Sequence, residues 1–229
     1  MSKEVSNIIL VIVAHPDDET LGLGGTILRH KNQGDKIFGI AMTNGISARN
    51  IHEEKQIEKR KKAAYKAADL IGLEWLDFGD FPDNSMDSIP LINVVKFIEK
   101  VKNDINPKII YTHSASDLNI DHKIVNESTL IAFRPRAGEA WKEIRSFEVP
   151  SSTDYSHETL RGYFKPNLYI NIENLIDLKL QALSFYKDEL WESPNSRSIN
   201  MIKVLAQYRG SQVGLRYAEA FEVLRKISR

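Results

Sequence analysis

A six-residue run of β-branched and aliphatic side chains, Ile8–Val13, leads through Ala14 into His15-Pro16-Asp17-Asp18-Glu19. A strand without a polar side chain on either face has to be covered on both, which is the situation of a central strand in a parallel sheet. The run is far shorter than the ~20 residues of a membrane span, and a charged turn ends it. It therefore reads as a buried strand rather than a signal peptide, and it delivers an imidazole and three carboxylates to its own carboxyl end.

Further strand-length apolar runs occupy residues 36–42, 73–78 and 108–112. Helical patterns separate them. Residues 20–31 read as a helix despite Gly22, Gly24 and Gly25, whose cost implies a close approach of backbone or ligand. Ile57, Ala64, Ala68 and Ile71 share one face of a helix over 53–70. Leu91, Val94, Val95, Ile98 and Val101 mark another behind Ser88 and Pro90, and a fourth runs from about Asp121 to before Pro135. This alternation predicts an α/β fold: a Rossmann-like open, mainly parallel sheet with helices on both faces. Beyond Gly138 the order changes, with strands expected at 144–149 and 168–172 and helices near 175–190, 201–208 and 218–226. No linker or repeat divides the chain, so 1–229 reads as a single domain, with the core over about 1–135 and a C-terminal α+β extension over about 136–229.

Thirty-one Lys and Arg balance thirty-one Asp and Glu, so no global field steers the chain to nucleic acid or an anionic membrane. The basic run 59–62 sits mid-helix among Glu53, Glu54 and Glu58 and reads as a solvated face. With no cysteine, disulfides, thiolate catalysis and sulfur-ligated metals are excluded, leaving His and carboxylates as ligands. The composition is compatible with the cytoplasm. It leaves homo-oligomerisation open.

Ligands of open α/β sheets bind beyond the carboxyl ends of the strands. Here those ends carry His15 to Glu19, then Thr43, Asn44 and Arg49, then Asp80, Asp83 and Asp87, then His113, Asp117, Asn119, Asp121 and His122. Taken singly, His15 reads as a helix-start hydrogen bonder, Asp17 or Asp18 as a cap and Glu19 as a first-turn charge. Together they require a second His-carboxylate cluster to be explained as well. His15 and Asp18, three apart in a tight turn, can aim at one point, with Asp17 facing elsewhere and His122 as the third ligand of a metal site with an open position. His113, at the end of its strand, reads either as a neighbour behind the ligands or as satisfied locally, and is a candidate nearby cation.

Ala14-His15-Pro16-Asp17-Asp18-Glu19, paired with Asp117-x-Asn119-x-Asp121-His122, resembles the PIG-L/LmbE family of zinc-dependent de-N-acetylases. Residues 43–49, 81–84, 147–153 and 209–211 extend the likeness. It implies His15, Asp18 and His122 as zinc ligands, with Asp121 and His113 behind them, and Asp17 as general base for a metal-bound water. It also implies Arg49 and Asp83 as substrate-binding residues. Ferrous iron or cobalt suits two imidazoles and a carboxylate as well as zinc does. Where many relatives carry a histidine, this chain has Asn119, which can donate an amide hydrogen bond to an oxyanion but cannot be an imidazolium. Near Arg197, Asn195 likewise stands where relatives tend to have His.

The implied reaction removes acetate from an N-acetylglucosamine-like amino sugar or its conjugate, a small-molecule substrate, with neither nucleic acid nor a membrane span involved. The alternative is a non-catalytic metal or sugar-nucleotide binding module of the same fold. A dinucleotide enzyme, suggested by Gly22-x-Gly24, fails where Ile27 replaces the third glycine. Phosphate-loop and serine-nucleophile motifs are missing from the sequence.

Overall fold

The computed structural model describes residues 6–46 and 54–228. Five strands, β1 (Ile8–Val13), β2 (Lys36–Ala41), β3 (Glu74–Phe78), β4 (Ile109–His113) and β5 (Glu143–Phe147), run parallel. With β6 (Leu168–Asn171) and β7 (Ala218–Lys226) they form one sheet in the order β3-β2-β1-β4-β5-β7-β6. The chain builds outward from β1 to β3 and then returns to β1's other side as β4, so the order reverses between β1 and β4. That crevice is where open α/β sheets place their ligands.

The period-two geometry of β1 explains its composition. Ile9, Val11 and Val13 pack under α1 (Asp18–Asn32) and α2 (Glu54–Ile71), whereas Leu10 and Ile12 pack under α3 (Leu91–Ile105) and α4 (Ile120–Ala132). All five are fully buried, each worth about 1.5–3 kcal/mol of transfer free energy. Such a strand can sit only at the sheet's centre. Among the described residues, no helix is long and apolar enough to cross a membrane.

The C-terminal half departs from expectation at its last element. Residues 218–226, rich in the helix formers Ala, Glu, Leu, Arg and Lys, form strand β7 rather than a helix, antiparallel to both β5 and β6. Pairing on both edges and complete burial of Phe221 outweigh a propensity difference of a few tenths of a kcal/mol per residue. The helix expected at 175–190 is shorter, α6 (Ile176–Leu183), followed by a separate 3-10 turn at Lys187–Glu189. The four-residue α5 (Glu158–Arg161) was not anticipated, and α7 spans Ile199–Ser211.

The glycines of α1 do meet close neighbours. A Cβ on Gly22 would lie 2.3 Å from Phe147, and one on Gly25 2.7 Å from Ile172. The helix is broken at Leu23 (φ −144°, ψ 21°), and a buried ion pair satisfies the freed backbone. Lys179 Nζ donates to the Leu21 carbonyl (2.8 Å), while the Glu219 carboxylate accepts from the N–H groups of Gly25 (2.9 Å) and Thr26 (2.6 Å). Lys179 and Glu219 are themselves 2.6 Å apart. Removing one member of such a pair strands the other, so Glu219→Ala should lower unfolding stability by about 3–5 kcal/mol in urea titrations. A loss below about 1 kcal/mol would show that the kink does not depend on the pair.

Candidate active site

His15 and Asp18 occupy the turn from β1 into α1, and His122 lies in the first turn of α4, so the ligand candidates flank the β1/β4 crevice. His15 Nδ1 and His122 Nε2 are 3.2 Å apart, and Asp18 Oδ2 is 3.3 Å from each. All three side chains are buried. Asp18 Oδ2 also accepts the His15 N–H (2.9 Å), whereas Oδ1 has no partner.

Each imidazole presents its remaining nitrogen to a carboxylate. His15 Nε2 lies 3.2 Å from Asp121 and 3.1 Å from Asp83; His122 Nδ1 lies 3.0 Å from Asp117. Asp121 is fixed by the N–H groups of Asn84 (2.6 Å) and Met86 (3.1 Å). Asp117 accepts from the hydroxyls of Ser152 and Thr153 and from the Asn119 N–H. Carboxylates in this position set the tautomer and aim of a ligating histidine.

The electrostatics agree with the geometry. Burial disfavours a charged His15, but hydrogen bonds to Asp121, Asp18 and Asp83 overcome it and hold its pKa well above the usual value. Burial is likewise overcome at His122 by Asp117 and Asp18, which raise it to about 9. The Asp18 carboxyl, despite its own burial, is held well below the carboxylate range by His122 and His15. This field draws positive charge to the point where the three ligand atoms meet.

A divalent cation fits those residues. Tetrahedral bonds of about 2.0–2.1 Å place neighbouring ligand atoms about 3.3 Å apart, the spacing found here. The same three residues group as a candidate metal set, as do the overlapping sets His113, Asp117, His122 and His15, Asp83, Asp121.

Asp17 faces away from this cluster. Its φ of 140° is a strained conformation for a residue with a Cβ, held in part by Glu19 Oε2, which accepts the Asp17 N–H (2.9 Å). Asp17 Oδ2 meets two guanidiniums, Arg60 Nη2 and Arg197 Nη1, each at 3.1 Å. Oδ1 is buried and without a hydrogen-bond partner. Burial pushes the Glu19 carboxyl up to about 7, with Thr20 and Tyr186 donating to it.

The other expected residues are placed as follows. His113 stacks on His122 at 3.8 Å, and its Nε2 accepts the Ala14 N–H (2.9 Å). Burial and the His122 charge push its pKa well down, so it is a neutral acceptor behind the ligands and not a cation. Asn119 caps α4 through Oδ1 on the Asp121 N–H (2.8 Å), while its Nδ2 donates to Asn84 Oδ1 (2.9 Å). Asp83 is buried against His15 rather than standing on an open rim. Arg49 lies outside the described residues.

Arg60 is the main departure from the sequence reading. Far from belonging to a solvated face, it is buried, with Nη1 on Glu189 and Nη2 on Asp17. A signal existed, since Arg60 sits three residues after Ile57 and four before Ala64, on the apolar face. Arg197, in the loop before α7, carried none. Arg60→Met should cost about 3–5 kcal/mol, by leaving two buried carboxylates short of a cation. Lys59→Met, with its side chain 68% exposed, should change stability by no more than about 0.5 kcal/mol. Equal effects in denaturant titrations would restore the solvated-face reading.

The geometry defines an α/β protein whose sheet crevice brings together a buried His-Asp-His cluster, with the preceding acid of the same turn held separately. Residues 10–133 match the family described as PIG-L, GlcNAc-PI de-N-acetylase, and the chain belongs to it. It is 24% identical to diacetylchitobiose deacetylase of Thermococcus kodakarensis over 92% of this chain and 80% of that one. It is also 25% identical to 4-oxalmesaconate hydratase of Pseudomonas putida, over 80% and 75% of the two chains. The fold matches a structure of the zinc-inhibited form of teicoplanin deacetylase Orf2 with a TM-score of 0.79 and 15% identity, covering 96% of this chain and 99% of the other.

Proposed function

We propose that this protein is a zinc-dependent hydrolase that removes the acetyl group from an N-acetylglucosamine-like amino sugar or its conjugate, releasing acetate and a free amine. The observation that carries the reading is the meeting of His15 Nδ1, His122 Nε2 and Asp18 Oδ2 at one buried point, three residues from one turn and one helix start, with the neighbouring Asp17 leaving its Oδ1 unpartnered. Deacetylases of N-acetylated sugars among the relatives support the substrate class.

His15, Asp18 and His122 would hold the zinc, which would supply Lewis acidity to a water and an acetyl carbonyl. Asp17 is the general base. With Oδ2 held by Arg60 and Arg197, its Oδ1 takes a proton from the attacking water and returns it to the amine nitrogen as the C–N bond breaks. The oxygen that gains charge at the acetyl carbon receives a hydrogen bond from the second Nδ2 proton of Asn119, the first being donated to Asn84. Arg49 holds the sugar, whereas Asp83, buried on His15 Nε2, helps to fix that imidazole. Asp121 and Asp117 fix the two imidazoles, and His113 backs His122.

The test combines elemental analysis of the purified protein with acetate release from a panel of N-acetylglucosamine derivatives. Asp17→Asn should keep near-stoichiometric metal and lose about 10²–10⁴-fold in kcat, whereas His15→Ala should lose the metal as well. A protein that binds no metal after reconstitution overturns the catalytic reading. Metal binding with wild-type and Asp17→Asn equally inert on amides favours the binding module. Hydration of 4-oxalmesaconate instead of turnover of any amide moves the assignment toward the hydratase relative.

A further inference from the structure

At the opposite end of the sheet, where β1, β2, β4 and β5 begin, a cavity of about 590 Å³ opens between the end of α1 and the edge strand β6. Its volume is in the range of small-molecule sites. Along α1 its nearest lining residue, Thr26, lies eight residues beyond Asp18, about 12 Å of helical rise from the His-Asp-His set. The cavity is independent of the hydrolase reading.

Its charge is one-sided. Arg29, Lys108, Lys142 and Arg145 line it, against the single carboxylate of Asp35. That carboxylate is already committed, accepting from Asn7 and meeting His30 Nδ1 at 2.6 Å. Arg145 is committed too, forked onto Glu143 and donating to the Tyr111 hydroxyl. Among the described residues, Arg29, Lys108 and Lys142 have no carboxylate partner; Arg29 and Lys108 reach only the carbonyls of Asn171 and Ala140, each at 3.3 Å. Three uncompensated cations at one concavity favour an anion with more than one negative charge.

Two further features shape the ligand. Thr26 lines the cavity, fully buried, and its Oγ1 has no hydrogen-bond partner. Buried hydroxyls are ordinarily satisfied, so this one marks a place for a ligand's polar atom. Half-buried Leu168 and Ile170 of β6 supply an apolar wall on one side. We propose that this cavity binds a phosphomonoester of a small ring compound, with the phosphate on Arg29, Lys108 and Lys142, a polar group on Thr26 Oγ1 and the ring against β6.

Titration calorimetry on metal-stripped protein, which removes phosphate binding to a metal as a competing signal, tests it with AMP, inorganic phosphate and adenosine as probes. AMP should bind more tightly than inorganic phosphate by about tenfold or more, through the ring, and adenosine should not bind measurably. The Lys108→Gln/Lys142→Gln double variant should weaken AMP by at least about tenfold, and the isosteric Thr26→Val should weaken it with folding checked by circular dichroism. Lys59→Met, which removes an exposed cation outside the cavity, should bind AMP as the wild type does. No AMP binding at millimolar concentration, affinity unchanged in the double variant, adenosine binding as well as AMP, or phosphate matching AMP would each overturn the proposal. Loss of binding in Lys59→Met would do the same by showing a charge effect that does not depend on the cavity.

Discussion

Asp18 is a fully buried carboxylate among three imidazoles, and the placement of four elements depends on neutralising it. A buried charge without compensation costs several kcal/mol, so β1 and α1, which carry His15 and Asp18, must meet β4 and α4, which carry His113 and His122. The imidazoles in turn pull in Asp83, Asp117 and Asp121. Those carboxylates are anchored by backbone N–H groups of the 84–86 turn and by hydroxyls of the 152–153 turn. Loops after four different strands are thereby joined through one polar cluster. Low local dielectric strengthens every member of it and penalises any missing partner.

Three consecutive acids show how completely environment assigns chemistry. Asp18 faces imidazoles, Asp17 faces guanidiniums, and Glu19 lies among hydroxyls with burial holding its carboxyl near pH 7. The separation rests on the backbone, because the φ of 140° at Asp17 turns its side chain out of the ligand cluster. Glu19 helps to hold that strain by taking the Asp17 N–H, so the third acid of the motif supports the conformation of the first.

The core and the convergence of His15 and Asp18 were legible because they follow local rules. Period-two burial identified β1 as central, the strand-helix alternation gave the parallel sheet, and the spacing of His15 and Asp18 pointed both at one place. What escaped depends on distant partners. The end of the chain reads as a helix on propensity, and it becomes a strand because β5 and β6 offer two unpaired edges and Lys179 offers Glu219 a buried cation. Arg60 was hidden inside a run of lysines, although helical periodicity put it on the buried face. Arg197 reaches Asp17 across 180 positions from an irregular loop, which no periodicity could indicate.

The region matched by the family ends at residue 133, and it contains every candidate metal ligand. The rest of the chain has a different physical task, which is to hold the first loop and helix in a conformation they would not keep alone. Ser152 and Thr153 grip Asp117, Tyr186 donates to Glu19, and Arg197 reaches Asp17. Lys179 and Glu219 supply the hydrogen bonds that the kink in α1 takes away from its own helix. A glycine-rich helix start pays a conformational cost, and a strained Asp17 adds to it; beside the local help of Glu19 and Arg60, both are offset by contacts from residues more than a hundred positions later. The C-terminal extension is therefore part of the site's construction, and a chain cut after α4 would keep the ligand residues while losing the forces that aim them.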